Sequence, residues 1–336
     1  MIKKLSIANF KSVRQLDIDC KKVNLFIGEP NTGKSNILEA LALMSYCGQP
    51  GDLPLADYVR FQLMENLFYD QLLDQEIEIV ASTSEASHPE LFLALRVDES
   101  TVQFHTEREH TKPRAEVRPF RVITHEGNVE QAVMINRIMG RIKFFRFKNL
   151  PKCDDKEPGS LKPPNGANLF SVVFGSNDLR RTMEEFFQKY GLMVNMKSHE
   201  RAFELVKHSG SSFISYPYTM ISDTLQRIIF YTVAMASNKD AVLVFEEPES
   251  NAFPYYAKYL GERIALDETN QFFIATHNPY LLSAIVEKGR KEAVQVFITY
   301  FRNYETLVRP LAPDELSELM EADPFFNLDR FIEDSQ

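Results

Sequence analysis

Residues 28–35 read Gly28-Glu29-Pro30-Asn31-Thr32-Gly33-Lys34-Ser35, the pattern G-x-x-x-x-G-K-[ST], and no other stretch constrains the fold as tightly. A loop of this kind works only between a strand and a helix. The flanks supply both: Val23-Asn24-Leu25-Phe26-Ile27 is a short apolar run before it, and residues 36–44 carry apolar side chains at helical spacing after it. In that setting successive backbone N–H groups converge on an anion, and the helix N-terminus adds the positive end of its dipole. The pattern predicts that Gly28, Asn31, Thr32, Gly33, Lys34, Ser35 and Asn36 surround the phosphates of ATP or GTP. Lys34 would reach the outer phosphates and the Ser35 hydroxyl would bind Mg²⁺.

Such a loop needs a second strand that brings carboxylates to the metal and to water. Ala241-Val242-Leu243-Val244-Phe245-Glu246-Glu247-Pro248-Glu249 fits that need. The unbroken apolar run predicts a parallel strand buried on both faces, with acids where it leaves the sheet. Glu246 at the tip suits the Mg²⁺ shell, and Glu247, pointing differently, suits polarising an attacking water. Phe272-Phe273-Ile274-Ala275 predicts a neighbouring strand that ends at Thr276-His277-Asn278-Pro279. His277 at the same sheet edge fits a sensor of the γ-phosphate, with a purely structural histidine as the alternative.

The chain has 336 residues, a net charge of −9 and three cysteines. That length allows a large core. The acidic balance argues against a surface basic throughout, though not against a local basic patch. Cys20, Cys47 and Cys153 lie far apart with no C-x-x-C spacing, so reduced thiols are expected and a zinc site is not. No apolar run approaches the length of a membrane helix; the expectation is a soluble cytoplasmic protein with no membrane partner. Alternating strands are predicted at 4–10 and 12–19, a helix at 58–73, strands within 76–126, a helix near 130–139 and a strand over 141–148. Residues 150–168 read as a loop, and a helix follows at 176–190. The last third alternates helix and strand: 222–237, 241–246, 252–266, 271–275, 279–287 and 294–300. Arg137, Arg141, Lys143, Arg146, Lys148 and Lys152 run without an intervening acid and interleave with Phe144, Phe145 and Phe147. This run fits either tracking of a DNA backbone or a solvated strand edge. The acidic, aromatic tail fits either partner docking or a helix packed on its own domain.

The loop, the Glu-Glu-Pro-Glu strand exit and Ala275-Thr276-His277-Asn278-Pro279 together resemble the ABC-type ATPases of the RecF, SMC and OLD (overcoming lysogenization defect) group. Ile7-Ala8-Asn9-Phe10-Lys11-Ser12 resembles their first hairpin, which implies that Lys11 and Ser12 lie near the nucleotide. Residues 161–169 resemble a segment of OLD-like members, without a Toprim nuclease following. The resemblance implies an α/β ABC ATPase head, with a P-loop parallel-sheet core, an antiparallel β subdomain and a helical lobe. It implies one bilobed domain over 1–336: a first-lobe part at 1–150 with its β-rich subdomain at about 76–126, a helical and signature lobe at 169–240, a carboxylate-strand and switch-histidine core at 241–312, and an acidic tail at 313–336. It further implies Mg²⁺-dependent ATP hydrolysis, with Ser222 opening the signature motif that a second copy presents to the nucleotide. Thr224 stands where the family has glycine, and its side chain would crowd the approach of backbone to phosphate. Phe144–Asn149, where the glutamine loop belongs, holds no glutamine. The implied partners are a second copy, or a higher homo-oligomer, and a separate nuclease or toxin effector in anti-phage defence. RecF-like DNA repair, or an ATP-gated scaffold with little turnover, are the competing roles.

Overall fold

The apolar run before the loop forms the strand Val23–Ile27 (β3), buried along its whole length inside a six-stranded sheet. The computed structural model describes residues 1–50, 53–86, 88–98, 101–106, 121–124, 127–132, 138–150, 152–321, 324–326 and 328–333. Strands and helices are numbered along the chain. In the central sheet β3 lies between Val294–Arg302 (β15) and Gln271–Ala275 (β14), followed by Val242–Glu246 (β13) and Ile142–Phe145 (β9). These five strands run parallel, and Glu305–Pro310 (β16) closes the β15 edge antiparallel. Parallel strands leave the sheet at one edge, so the segments after β3, β14 and β13 come together there.

Alternation along these strands divides the interior. Phe26, Val242, Val244, Phe273 and Ala275 enter one hydrophobic cluster, while Leu25, Leu243, Phe245, Phe272 and Ile274 enter the other. The first cluster is built around Lys34–Cys47 (α1), whose Ile37, Leu38, Leu41, Leu43 and Met44 are fully buried. Each such side chain contributes about 1.5–3 kcal/mol of burial. This helix packs on β9, β13 and β14 and on Ile2–Phe10 (β1), so it is enclosed between two sheets. The second sheet is antiparallel and has seven strands. Its order is Val13–Asp19 (β2), β1, Ile77–Thr83 (β4), Glu90–Asp98 (β5), Thr101–His105 (β6), Arg121–Thr124 (β7) and Val129–Ala132 (β8).

The second cluster joins the other face of the central sheet to Leu169–Phe174 (α2), Asn177–Gln188 (α3), Asp223–Ser237 (α4), Pro254–Leu266 (α5) and Pro279–Lys288 (α6). Met193–Lys197 (β10), Ala202–Ser209 (β11) and Ser212–Pro217 (β12) form a small antiparallel sheet between α3 and α4. The predicted helical lobe at 169–240 therefore also carries a sheet. In the tail, Pro313–Glu321 (α7) buries Leu319, and Leu328 and Phe331 join the same cluster, which agrees with packing on its own domain.

Two predicted helices differ. Residues 58–73 form short 3-10 turns at Met64–Leu67 and Tyr69–Gln71, because Asp70 and Gln71 take positive φ values of 49° and 58° that no α-helix continues. In the stretch expected to be helical near 130–139, residues 129–132 instead pair with β7. Cross-strand pairing overrides a weak helical pattern there, and 133–137 lie outside the described residues. Among the described residues no helix is long and apolar enough to cross a membrane.

Candidate nucleotide site

The loop after β3 is fixed by the opposite hairpin, β15–β16. Gly33 has φ 95°, and a Cβ there would lie 1.9 Å from the Thr306 hydroxyl; one on Gly28 would lie 2.1 Å from the Thr299 carbonyl oxygen. Only glycine satisfies either position. The Thr306 hydroxyl donates to the Thr32 carbonyl at 3.0 Å and lies 2.7 Å from the Ser12 hydroxyl, which accepts from Asn36 Nδ2 at 2.6 Å. Ser12 and Asn36 thus brace the first hairpin and α1 against the loop.

Lys34 is buried and donates to the carbonyl oxygens of Gly28 at 2.9 Å and Glu29 at 2.6 Å. Burial pushes its ammonium down to about 8, against the opposing pull of Glu247 and Glu29. A desolvated cation inside a ring of loop backbone fits a phosphate, which is the test that the predicted triphosphate site has to meet. Asn31, exposed and in the left-handed region at φ 63°, completes the turn.

At the neighbouring strand exits, His277 Nε2 lies 3.4 Å from Glu247 Oε1. Ser250 Oγ donates to the other Glu247 oxygen at 2.9 Å. Burial lowers the pKa of His277, Lys34 lowers it further, and Glu247 works in the opposite sense. The ring is therefore neutral at pH 7, with one nitrogen free to accept and the other to donate. Burial opposes the Glu246 charge, but Arg146, Arg60 and the Ser35 hydroxyl together hold its carboxyl below the usual range. One acid and one hydroxyl beside a phosphate loop suit Mg²⁺, which keeps waters and substrate phosphates as its other ligands. Among the described residues no group of three or more His, Cys, Asp or Glu side chains could hold a metal ion by itself.

Several residues escaped the sequence reading. Glu39, fully buried in α1, accepts Lys11 Nζ, Arg60 Nε at 2.8 Å and Arg146 Nη2 at 3.1 Å. Lys11 is thereby tied to a carboxylate beside the loop. Glu249 is buried and accepts from the Thr276 hydroxyl, linking the β13 exit to the β14 exit; burial pushes its carboxyl up to about 7. A charged residue inside the apolar face Ile37-Leu38-Glu39-Ala40-Leu41 was a visible signal for Glu39. Arg60 had none.

Ser222 is exposed at the start of α4 and makes no side-chain capping bond. Thr224 Oγ1 instead donates to the Asn251 carbonyl at 2.9 Å, joining α4 to the β13 exit loop. The basic run does not form one stripe. Arg137 lies outside the described residues, Arg141 pairs with Glu85, and Lys143 donates to Ser160 at 2.9 Å and Asn238 at 2.5 Å. Arg146 turns into the nucleotide site, and Lys148 stays exposed, 3.9 Å from Asp57. Only Lys143 lies within β9; Arg141 precedes the strand and Arg146 and Lys148 follow it, so the cations reach separate neighbours.

The fold is that of an ABC-type ATPase head, built around a phosphate loop. Residues 1–157 match the family model described as "AAA ATPase domain", and residues 173–283 match "AAA domain, putative AbiEii toxin, Type IV TA system". A DNA replication and repair protein RecF from Bacteroides thetaiotaomicron is 36% identical over 53 residues, and one from Bacteroides fragilis is 34% identical over 53. Each match covers 16% of this chain and 14% of the relative, so the chain spans about a seventh of the length of these relatives. Among solved structures, an SMC head bound to the C-terminal winged-helix domain of ScpA aligns with TM-score 0.56 at 13% identity, covering 96% of this chain and 99% of that one. An SMC head with an extended coiled coil, bound to the C-terminal domain of ScpA derived from Pyrococcus furiosus, gives TM-score 0.56 at 12% identity, covering 95% and 98%. At such identities the likeness is one of fold.

Proposed function

We propose that the chain hydrolyses ATP at the Gly28–Ser35 loop, in a site completed by a second copy, and so controls a separate effector protein. The observation that carries hydrolysis is the Glu247–His277 pair, 3.4 Å apart at the exits of adjacent strands and near enough to Lys34 to act on its charge. Lys34 exchanges the Gly28 and Glu29 carbonyls for the outer phosphates. Glu247 accepts the proton of the attacking water, and neutral His277 donates a hydrogen bond to the departing phosphate. Ser35 and Glu246 would hold Mg²⁺, which neutralises phosphate charge when bound.

The second copy is argued from Ser222. It is exposed on the second lobe at the start of α4, where it is available to a neighbouring molecule. With Thr224 in place of glycine the closing contact is looser and turnover slow. Control of a nuclease or toxin in anti-phage defence is the role that the OLD-like segment at 161–169 favours. The RecF matches favour a second reading, DNA repair, in which DNA stimulates turnover. Sedimentation with a non-hydrolysable ATP analogue tests the core of the proposal. The wild-type chain should shift from monomer to dimer, and Lys34→Ala should neither bind nor shift. A Lys34→Ala chain that dimerises like wild type would overturn it.

A further inference from the structure

A cleft opens between the crossing segment that follows β9 and the small sheet of the second lobe. It encloses about 600 Å³ of space, part of it open to solvent, and none of its lining residues belongs to the phosphate loop or to the exits of β13 and β14. The floor is aromatic. Phe203 and Phe230 are buried there, and Phe147 stands edge-on to Phe230 with ring centroids 5.7 Å apart. The mouth is cationic: Lys148 and Lys152, the end of the basic run, come from one side, and Arg201 comes from the turn before β11. No acidic side chain lines the cleft among the described residues.

These groups keep bonding capacity in hand. Lys152 makes no ion pair among the described residues, and Lys148 is only 3.9 Å from Asp57 at its closest. Arg201 Nη1 donates to the Asp154 carbonyl at 2.6 Å, which steadies the guanidinium and leaves the rest of its fork to the cleft. Asp155, whose charge Arg201 also stabilises, is already paired with Lys162 at 2.7 Å. On the wall, the Tyr218 hydroxyl is buried with no hydrogen-bond partner, and the side chain of half-buried Asn165 makes no hydrogen bond among the described residues. An unpaired buried hydroxyl costs about 1–3 kcal/mol. Three cations converging on an aromatic floor select a ligand with a flat ring and a compact anion, and a guanidinium fork favours phosphate. A nucleic-acid strand asks instead for cations spaced along an open groove, and Arg141 and Lys143 of the same run are engaged elsewhere.

We propose that this cleft is a second ligand site that binds a nucleoside monophosphate, with the base against Phe203 and Phe230 and the phosphate among Lys148, Lys152 and Arg201. Asn165 offers the base edge a donor and an acceptor. The site does not depend on the phosphate loop for any contact. Gln226, buried in the cleft wall, donates to the Ile221 carbonyl at 3.0 Å, so the ligand sits against the segment that leads into α4.

The test is calorimetric titration of the full chain with AMP, GMP and UMP, then with the nucleoside of the tightest binder and with inorganic phosphate. At least one monophosphate should bind at one site per chain, and its nucleoside and inorganic phosphate should each bind about tenfold or more weakly, since each keeps only part of the contacts. Lys152→Glu, at an exposed side chain, should weaken the monophosphate by about tenfold or more, the value of a charge-assisted hydrogen bond. Ala202→Phe, which fills the cleft from its half-buried edge, should abolish binding. Lys34→Ala should bind the monophosphate as wild type does. Loss of binding in Lys34→Ala would put the ligand in the phosphate loop and overturn the inference. So would unchanged binding in both Lys152→Glu and Ala202→Phe, or a wild-type chain that takes up none of the three. A single-stranded oligonucleotide that binds where the monophosphates do not would overturn it in favour of nucleic acid.

Discussion

Lys34 and Glu249 carry the two largest charge displacements of the site in opposite directions, and each makes a pH prediction. The folded Lys34 ammonium titrates near 8, below its ordinary value of 10.5, so the folded chain releases this proton first. Its desolvation cost is fully present below about 8 and is relieved as pH rises towards 10.5. Phosphate binding needs the charged form. ATP affinity should therefore fall as pH rises past about 8, and binding there should take up protons, measurable by calorimetry in buffers of different ionisation enthalpy. Glu249 titrates near 7 when folded and 4.5 ordinarily, so the folded chain binds the extra proton between those values. Stability should fall as pH rises through that window, by up to about 3 kcal/mol. In Glu249→Gln that slope should flatten, leaving the variant at least as stable as wild type at pH 8 in a thermal melt. The loop, Glu246, Glu247 and His277 were legible in the sequence because each sits in a local motif with fixed spacing. Glu39 showed only as a charge inside an apolar helix face, and Arg60 not at all. Arg60 meets Glu246 across 186 residues and Arg146 meets Glu39 across 107, and no local pattern encodes such pairings.

At the level of elements, the central sheet was readable because its buried strands are short unbroken apolar runs, as in Val242–Glu246 and Gln271–Ala275. The small sheet of the second lobe was not, since Ser212–Pro217 is exposed along its whole length and shows no buried alternation. Of the strand predicted over 141–148 only Ile142–Phe145 forms β9, and of the basic run only Lys143 lies in it; Arg141, Arg146 and Lys148 flank the strand and meet separate acids. Helix α4 carries the prediction that belongs to this scale. Thr224→Gly removes a side chain from the helix start and with it the bond to Asn251. It should raise ATP turnover per site if Thr224 holds the second copy away from phosphate. The cost should be about 1 kcal/mol in stability, chiefly from the lost hydrogen bond to Asn251, with only a few tenths from helix propensity. Steady-state rates and urea midpoints measured on the same preparations check both halves.

For the whole molecule, the parallel core brings three strand exits to one edge, while the antiparallel sheet and the second lobe enclose it from either face. In the proposed function that arrangement supplies one half of a site: the loop, Glu246 for the metal, and Glu247 with His277 for hydrolysis. The exposed Ser222 start of α4 belongs to the other lobe and is offered outward. Of the basic run, Arg146 turns into the nucleotide site, while Arg141 and Lys143 are held by other neighbours. The central claim is that Glu247 converts bound ATP to product. Single-turnover hydrolysis by wild type and Glu247→Gln, with bound nucleotide measured in the same samples, tests it most directly. Wild type should show Mg²⁺-dependent cleavage, and Glu247→Gln a rate about 10²–10⁴-fold lower at unchanged ATP binding. Equal cleavage rates in the two proteins would contradict it.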